Sequence, residues 1–316
     1  MSRYRYIGNR IALALLAVWL VSAALFIVMR MLPGDPVLLQ RGLAATPESI
    51  AEGRRALGLD DPLPVQYVRW ASAVVRLDFG RSLDGGSAAR DLRDRLPVTL
   101  ELTLLAIVWT CVFGVTAGII AAQRRDRRSD YALRIGTSVA LSIPPFWLAT
   151  LVLALPQQWW GYAPPLDGAR ALLDAPATNL RQFVPASLVL AAASSAAVLR
   201  LTRASILATS SADFVRTAHA KGLAPGTILR THVLRISILP VLTLIGIQTG
   251  GLLGGAVVVE TIFNLNGVGQ YFYRAILEKD FAVAQAVVLY TAAMVIAINL
   301  TVDVVSVLLD PRTRGA

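Results

Sequence analysis

Ile11-Ala-Leu-Ala-Leu-Leu-Ala-Val-Trp-Leu-Val-Ser-Ala-Ala-Leu-Phe-Ile-Val-Met29 carries no charge from end to end. A helix rises about 1.5 Å per residue, so such a run suits a hydrocarbon core about 30 Å thick. A cleaved leader has a shorter apolar region and small residues at its cleavage site. Here the run is long and Met31-Leu32-Pro33-Gly34 follows it, so the expectation is a retained first membrane span. Working outward, five more apolar blocks appear: Leu102–Gln123, a block from Ile135 to Leu166, Gln182–Leu199, Ile236–Val259 and Phe281–Leu309. In the third block the span is expected to end near Leu155, because Pro156 to Pro165 holds too many prolines and polar groups to continue a helix. Pro144-Pro145 should kink it, and Trp147, Trp159, Trp160 and Tyr162 suit anchors at a membrane interface. The fold class expected is an all-α polytopic membrane protein with six transmembrane helices.

Composition agrees. Of 316 residues, 55% are hydrophobic and only 16% charged, against about 25% charged in an ordinary soluble domain. This argues against a disordered chain and against a typical soluble enzyme. One cysteine, Cys111, allows no internal disulfide and no multi-cysteine metal site; two histidines, His219 and His232, cannot build a zinc or haem site alone. No metal site and no catalytic residue are expected. The net charge of +10 flanks apolar spans, which points to loops facing anionic lipid rather than to nucleic acid.

The Lys/Arg bias sets the expected orientation. Arg3, Arg5 and Arg10, the cluster Arg124 to Arg134, the loop from Arg200 to Arg235, and Arg312 and Arg314 all lie on the side of the termini. Both termini are therefore expected in the cytoplasm. The organisation read from this is a cytoplasmic N-terminus at 1–10, a first span at 11–31, and a long extracytoplasmic segment at 32–97. A five-helix transmembrane core at 98–310 follows, with a cytoplasmic loop at 200–235 and a cytoplasmic tail at 311–316. Within the outer segment, Pro47–Leu57 and Pro64–Arg76 read as helices, with Thr46 placed to cap the first.

The loop at 213–240 reads Asp-Phe-Val-Arg-Thr-Ala-His-Ala-Lys-Gly-Leu-Ala-Pro-Gly-Thr-Ile-Leu-Arg-Thr-His-Val-Leu-Arg-Ile-Ser-Ile-Leu-Pro. Asp213 can cap a short helix and Gly222 can end it with a left-handed residue. Pro225-Gly226 then turns the chain into a helix leading to the fifth span. Such an element suits docking into a partner's groove, or it is a basic connector that only fixes topology.

This loop resembles the EAA loop of ABC-transporter permeases, with Arg216-Thr217-Ala218 in the Glu-Ala-Ala slots, Gly222 at the glycine and Leu239-Pro240 at the close. The departure in the first two slots and the longer spacing resemble the dipeptide, oligopeptide and nickel branch. Leu32-Pro33-Gly34-Asp35-Pro36, Leu57-Gly58-Leu59-Asp60 with Pro64-Val65-Gln66-Tyr67, Asp78-Phe79-Gly80-Arg81-Ser82, Pro97-Val98-Thr99-Leu100-Glu101-Leu102, Glu260-Thr261-Ile262-Phe263, Gly267-Val268-Gly269 and Leu309-Asp310-Pro311-Arg312 resemble that branch in order along the chain. The resemblance implies a type I ABC importer permease fold in a bacterial or archaeal cytoplasmic membrane. It implies four kinds of association: a second homologous permease, two ABC ATPase subunits, an extracytoplasmic solute-binding protein and the lipid bilayer. Asp213, Phe214, Arg216, Thr217, Ala218, Lys221 and Gly222 would form the ATPase-coupling helix.

The chain has no Gly-x-x-x-x-Gly-Lys-Ser/Thr loop, so no cofactor is expected on it, with ATP and Mg held by partner subunits. The expected cargo is a di- or oligopeptide, with nickel, glutathione or an oligosaccharide as alternatives. A gradient-driven secondary transporter would show inverted repeats with broken helices. A membrane-embedded enzyme would need converging nucleophile, acid and base. Neither pattern is seen. Gly246, Gly250 and Gly254 form Gly-x-x-x-Gly faces for helix packing or for bordering a pathway, and Gly114 and Gly118 read the same way. Two membrane acids stand out, Glu101 near the outer end of its span and Asp303 near the inner end of the last; a structural or gate-related role suits both better than proton coupling.

Overall fold

The computed structural model describes residues 3–31, 37–38, 46–56 and 58–309, with backbone alone for 3–7, 56, 303 and 305–309. The helices are α1 (Arg3–Met31), α2 (Pro47–Ala56), α3 (Leu63–Val75), α4 (Ala88–Gln123), α5 (Arg128–Ser142), α6 (Pro145–Trp160), α7 (Pro176–Ser210), α8 (Asp213–Ala220), α9 (Pro225–Ile262), α10 (Val268–Leu277) and α11 (Phe281–Leu309). Among the described residues there is no strand, only an isolated bridge between Arg81 and Ser87. The Leu32–Pro36 motif, Leu57 and the motif at 310–312 lie outside the described residues, as does the side chain of Asp303.

Helix α7 is the axis of the bundle, packed on α4, α5, α6 and α9. Its buried face includes small residues, Ala186, Ser187, Ala191, Ser194 and Ala196, that let neighbours come close beside larger ones such as Phe183 and Leu190. On α4, Gly114 and Gly118 complete the approach. A Cβ at Gly114 would stand 2.7 Å from Val198 Cγ1, and one at Gly118 2.6 Å from Thr202 Cβ. The backbone of α4 widens into a π segment, Thr110–Val115, at this seam.

The register of these contacts fixes the path of the chain. Glu101 meets Asn179, Trp109 meets Ser187, Gly114 meets Val198 and Gly118 meets Thr202, so α4 and α7 run parallel. The chain therefore leaves α4 at one end of the bundle and must return to the other before α7 begins. Helices α5 and α6 make that return. Asp130, at the start of α5, sits on Arg203, while residues just after α6 sit on Gln182 and Asn179. Along α7, Asn179 and Arg203 are about 36 Å apart. The pair is thus a broken span and not a re-entrant loop.

The break is sharper than a proline kink. Helices α5 and α6 are bent by 103°. Ile143 is extended (φ −84, ψ 121), as a residue before proline prefers, and Pro145 opens α6 where its missing N–H costs nothing. The expected end near Leu155 is also corrected. Pro156 lies within α6, which runs to Trp160 and stops at Gly161 in the left-handed region.

Helix α9 is antiparallel to α7, with Ser237 beside Ser205 and Gly255 beside Leu190. Helix α11 is antiparallel to α9, with Gly250 facing Val295 and Gly246 facing Val302. Met29 of α1 joins a cluster of Ala88, Leu92, Val268 and Val283, which places the end of α1 beside the starts of α4 and α11. Among the described residues, with α5 and α6 taken as one broken span, the chain makes six passages between a Glu260 end and an Arg203 end, and both α1's first residue and α11's last lie at the Arg203 end. Large apolar side chains on the outside, such as Leu13, Leu15 and Trp19 of α1, suit a lipid surround.

Candidate functional site

At the Arg203 end, α7 runs out to Ser210 and the chain turns through Ala212, extended at ψ 152, into α8. Only Val215 and Ala218 of α8 are buried. One turn apart, they share a face and fill a cluster with Ala122 of α4, Ile206 of α7, and Ile228 and Val233 of α9. The short helix is thereby seated on three spans at once. Ser237 Oγ adds a polar tie from α9 to Thr209 Oγ1 of α7 at 2.9 Å.

Everything else on α8 faces outward. Phe214 and Leu223 are exposed apolar side chains, and Arg216, Thr217 and Lys221 surround them. Asp213 does not cap the helix as expected; Ala212 holds the cap position and Asp213 is the first helical residue, its carboxylate 3.4 Å from Arg216 Nη1 in a fully open setting. The cap at the other end has the expected form. Gly222 has φ +76, its N–H bonds His219 O at 2.9 Å, and Leu223 N–H reaches back to Ala218 O at 3.3 Å. This is the Schellman arrangement, in which a left-handed residue closes the last carbonyls of the helix. The residues expected to form the coupling helix thus make one exposed ridge, with Val215 and Ala218 beneath it as anchors.

Beside this ridge a buried ion pair fastens the broken span. Arg203 Nε and Nη2 hold Asp130 at 2.8 and 2.7 Å, and the N–H of Asp126 bonds the same carboxylate at 3.1 Å. Sequence reading did not single out Asp130, because its partner lies 73 residues away.

The Glu260 end is tied by a second set of acids. Glu260 is fully buried; its carboxylate accepts from Thr99 Oγ1 at 2.7 Å and from the N–H of Gln270 at 2.9 Å. Thr99 Oγ1 in turn accepts from the N–H of Val268. Free amides at the start of α10 are so satisfied by α4 and α9. The glycines of Gly267-Val268-Gly269 leave room for this, since a Cβ at Gly267 would meet the Glu260 carboxylate at 2.5 Å and one at Gly269 the Val257 backbone at 2.6 Å. Asp280 binds Ser82 Oγ at 2.6 Å and the N–H of Leu83 at 2.8 Å, docking the Asp78–Ser82 motif onto the start of α11. Glu101 accepts from Asn179 at 2.7 Å. On α10, Tyr271 donates to Asp91 at 2.9 Å under the Arg95 guanidinium; burial first, then that bond, pushes its hydroxyl well above its usual range. Glu260, missed as a membrane acid, was signalled by the two glycines at the start of α10, Gly267 just before it and Gly269 in its first turn.

Gly246 and Gly250 pack on Val302 and Val295 of α11, while nothing lies within 4 Å of a Cβ at Gly254. Gly254 borders an apolar cavity of about 510 Å³ lined by α1, α4, α9, α10 and α11. No group of three or more His, Cys, Asp or Glu able to hold a metal occurs among the described residues.

The fold is that of a solved ABC importer. A chain of the MetNI methionine ABC transporter, in an inward-facing conformation, superposes with a TM-score of 0.57 at 16% identity, covering 69% of this chain and 96% of that one. Residues 114–315 match the family described as binding-protein-dependent transport system inner membrane component, and residues 3–103 match its N-terminal component. The chain belongs to this family. It is 36% identical over 97% of its length, and 98% of the relative's, to a putative peptide transport system permease protein of Brucella abortus. It is also 36% identical over 98% of both chains to the glutathione transport system permease protein GsiC of Escherichia coli K12. A probable peptide ABC transporter permease protein of Sinorhizobium fredii is 34% identical over 98% of this chain and 99% of its own. The protein is therefore a multi-pass permease subunit of an ABC importer in the cytoplasmic membrane, a transport component and not an enzyme, working with ATPase and substrate-binding partners. That assignment sets aside the gradient-driven carrier.

Proposed function

We propose that this chain forms half of the transmembrane path of an importer for di- or oligopeptides. The observation that carries the reading is α8: an exposed ridge of mixed apolar and basic residues, seated by Val215 and Ala218 on three spans. A groove that grips Phe214 and Leu223 could not shift without moving α4, α7 and α9 together. The Arg203 end and both termini face the cytoplasm, as the Lys/Arg bias requires. Two ATPase subunits, holding ATP and Mg, engage this chain and a second homologous permease there. A solute-binding protein delivers cargo at the Glu260 end. Glutathione is the second reading of cargo, favoured by the relative from E. coli, and is itself a small peptide. In the test, the chain is extracted from its native membrane in mild detergent and its companions identified. A second permease with ATP-binding subunits supports the reading; a stable homo-oligomer without them overturns it. Uptake of labelled dipeptides against glutathione then separates the two cargoes.

A further inference from the structure

The turn between α4 and α5 carries Arg124, Arg125, Arg127 and Arg128, all exposed, with Arg134 one to two turns further along α5. The two acids of this corner are already engaged within the chain. Asp126 accepts from Arg125 Nε at 3.1 Å, and Asp130 is buried against Arg203. Arg124, Arg127 and Arg128 make no ion pair among the described residues, so three positive charges stand uncompensated at one rim of the bundle. Directly below them, Tyr131, Ile135 and Val139 recur every four residues along α5 and are 50%, 65% and 53% exposed. The Arg134 guanidinium lies 5.6 Å from the Tyr131 ring centroid, where an interface residue would place it. Cations at a membrane rim above a continuous apolar stripe match the two ends of one molecule.

We infer that this corner binds an anionic phospholipid, its phosphate held by Arg124, Arg127 and Arg128 and an acyl chain lying along Tyr131, Ile135 and Val139. The arginine fork suits phosphate oxygens, and lipid fits the setting because the stripe runs along a span and not into solvent. The site is independent of what the importer carries. A basic side chain at an anionic bilayer surface contributes about fivefold in binding, so losing two costs about thirtyfold.

The full chain, with the subunits that co-purify, is titrated in mild detergent with phosphatidylglycerol or phosphatidylcholine, and bound lipid is counted by native mass spectrometry. The wild type is expected to hold phosphatidylglycerol in preference. Arg127→Gln/Arg128→Gln should lose that preference by about thirtyfold, while Arg127→Lys/Arg128→Lys keeps most of it. Equal retention of both lipids by the wild type overturns the inference, as does unchanged phosphatidylglycerol binding in the glutamine pair. Loss of an ATP-binding subunit with lipid binding intact would make the corner a protein contact and also overturn it. Should the glutamine pair not insert, the wild-type comparison and Arg124→Gln, expected about fivefold weaker, decide.

Discussion

Arg203 of α7 closes both N–H arms of its fork on Asp130 of α5, at 2.8 and 2.7 Å, and the carboxylate is wholly buried. Apart from Asp130, the only buried residue of α5 is Thr137. This helix therefore has no apolar anchor in the core at its Arg203 end, and the ion pair does the fastening. Beyond Ile143 the chain bends by 103° into α6, so α5 is fastened by the ion pair at one end and by the seat of α6 at the other.

Removing one partner should be worse than removing both. Asp130→Ala leaves the partly exposed Arg203 guanidinium without its partner, at a cost of about 1–3 kcal/mol, whereas Asp130→Leu with Arg203→Met replaces the pair by apolar contact and recovers most of it. Thermal unfolding midpoints in detergent for the singles and the double check this. A double variant no more stable than Asp130→Ala would show that the pair is not the fastening.

At Gly222 the constraint is conformational and not steric, because φ is +76 and nothing lies within 4 Å of a Cβ there. Asparagine tolerates the left-handed region and β-branched residues do not. Gly222→Asn is thus expected to transport at near wild-type rate. Gly222→Val should insert normally and hydrolyse ATP with uptake reduced at least several-fold. Uptake and ATPase rates measured on the same preparations separate the two, and equal uptake by both variants would remove Gly222 from coupling.

Much of the architecture was legible because apolar run length is a local property. The spans, the helices beginning near Pro47 and Leu63, and the left-handed cap at Gly222 follow from neighbours in sequence. What was not legible depends on distant partners. The angle at Ile143 is set by where α6 finds a seat, near Phe183 and Val259, not by Pro144 alone. Asp130 and Glu260 became structural acids only when folding brought Arg203 and Thr99 to them. Asp213 had the chemistry of a cap but stands one residue too late, since Ala212 makes the turn.

The Glu260 network predicts an order among three substitutions. Glu260→Gln keeps one oxygen acceptor for the Gln270 amide while its NH2 turns to Thr99 Oγ1 as a donor, and it is expected to fold with modest loss. Glu260→Leu leaves the Gln270 amide and the Thr99 hydroxyl without their acceptor, costing about 1–3 kcal/mol for each buried group. Gly269→Ala drives a methyl to 2.6 Å from Val257 Cα, a backbone atom that cannot yield, and should be the most damaging of the three. Folded yield by size-exclusion and unfolding midpoint rank them; a benign Gly269→Ala would mean α10 can seat elsewhere.

Gly246 and Gly254 test whether one glycine pattern serves two purposes. At Gly246 a Cβ would stand 2.5 Å from Val302 Cγ1, so Gly246→Leu must push α9 and α11 apart and lower stability by about 1–3 kcal/mol. At Gly254 the space is open, and a leucine would project into the cavity bordered by Val257, Phe272 and Thr291. Gly254→Leu is therefore expected to keep its folded yield and melting point. If the cavity belongs to the peptide path, the same variant lowers uptake several-fold with the ATPase subunits still bound. Full uptake by a well-folded Gly254→Leu would instead make the cavity a packing gap and return Gly254 to the same role as Gly246.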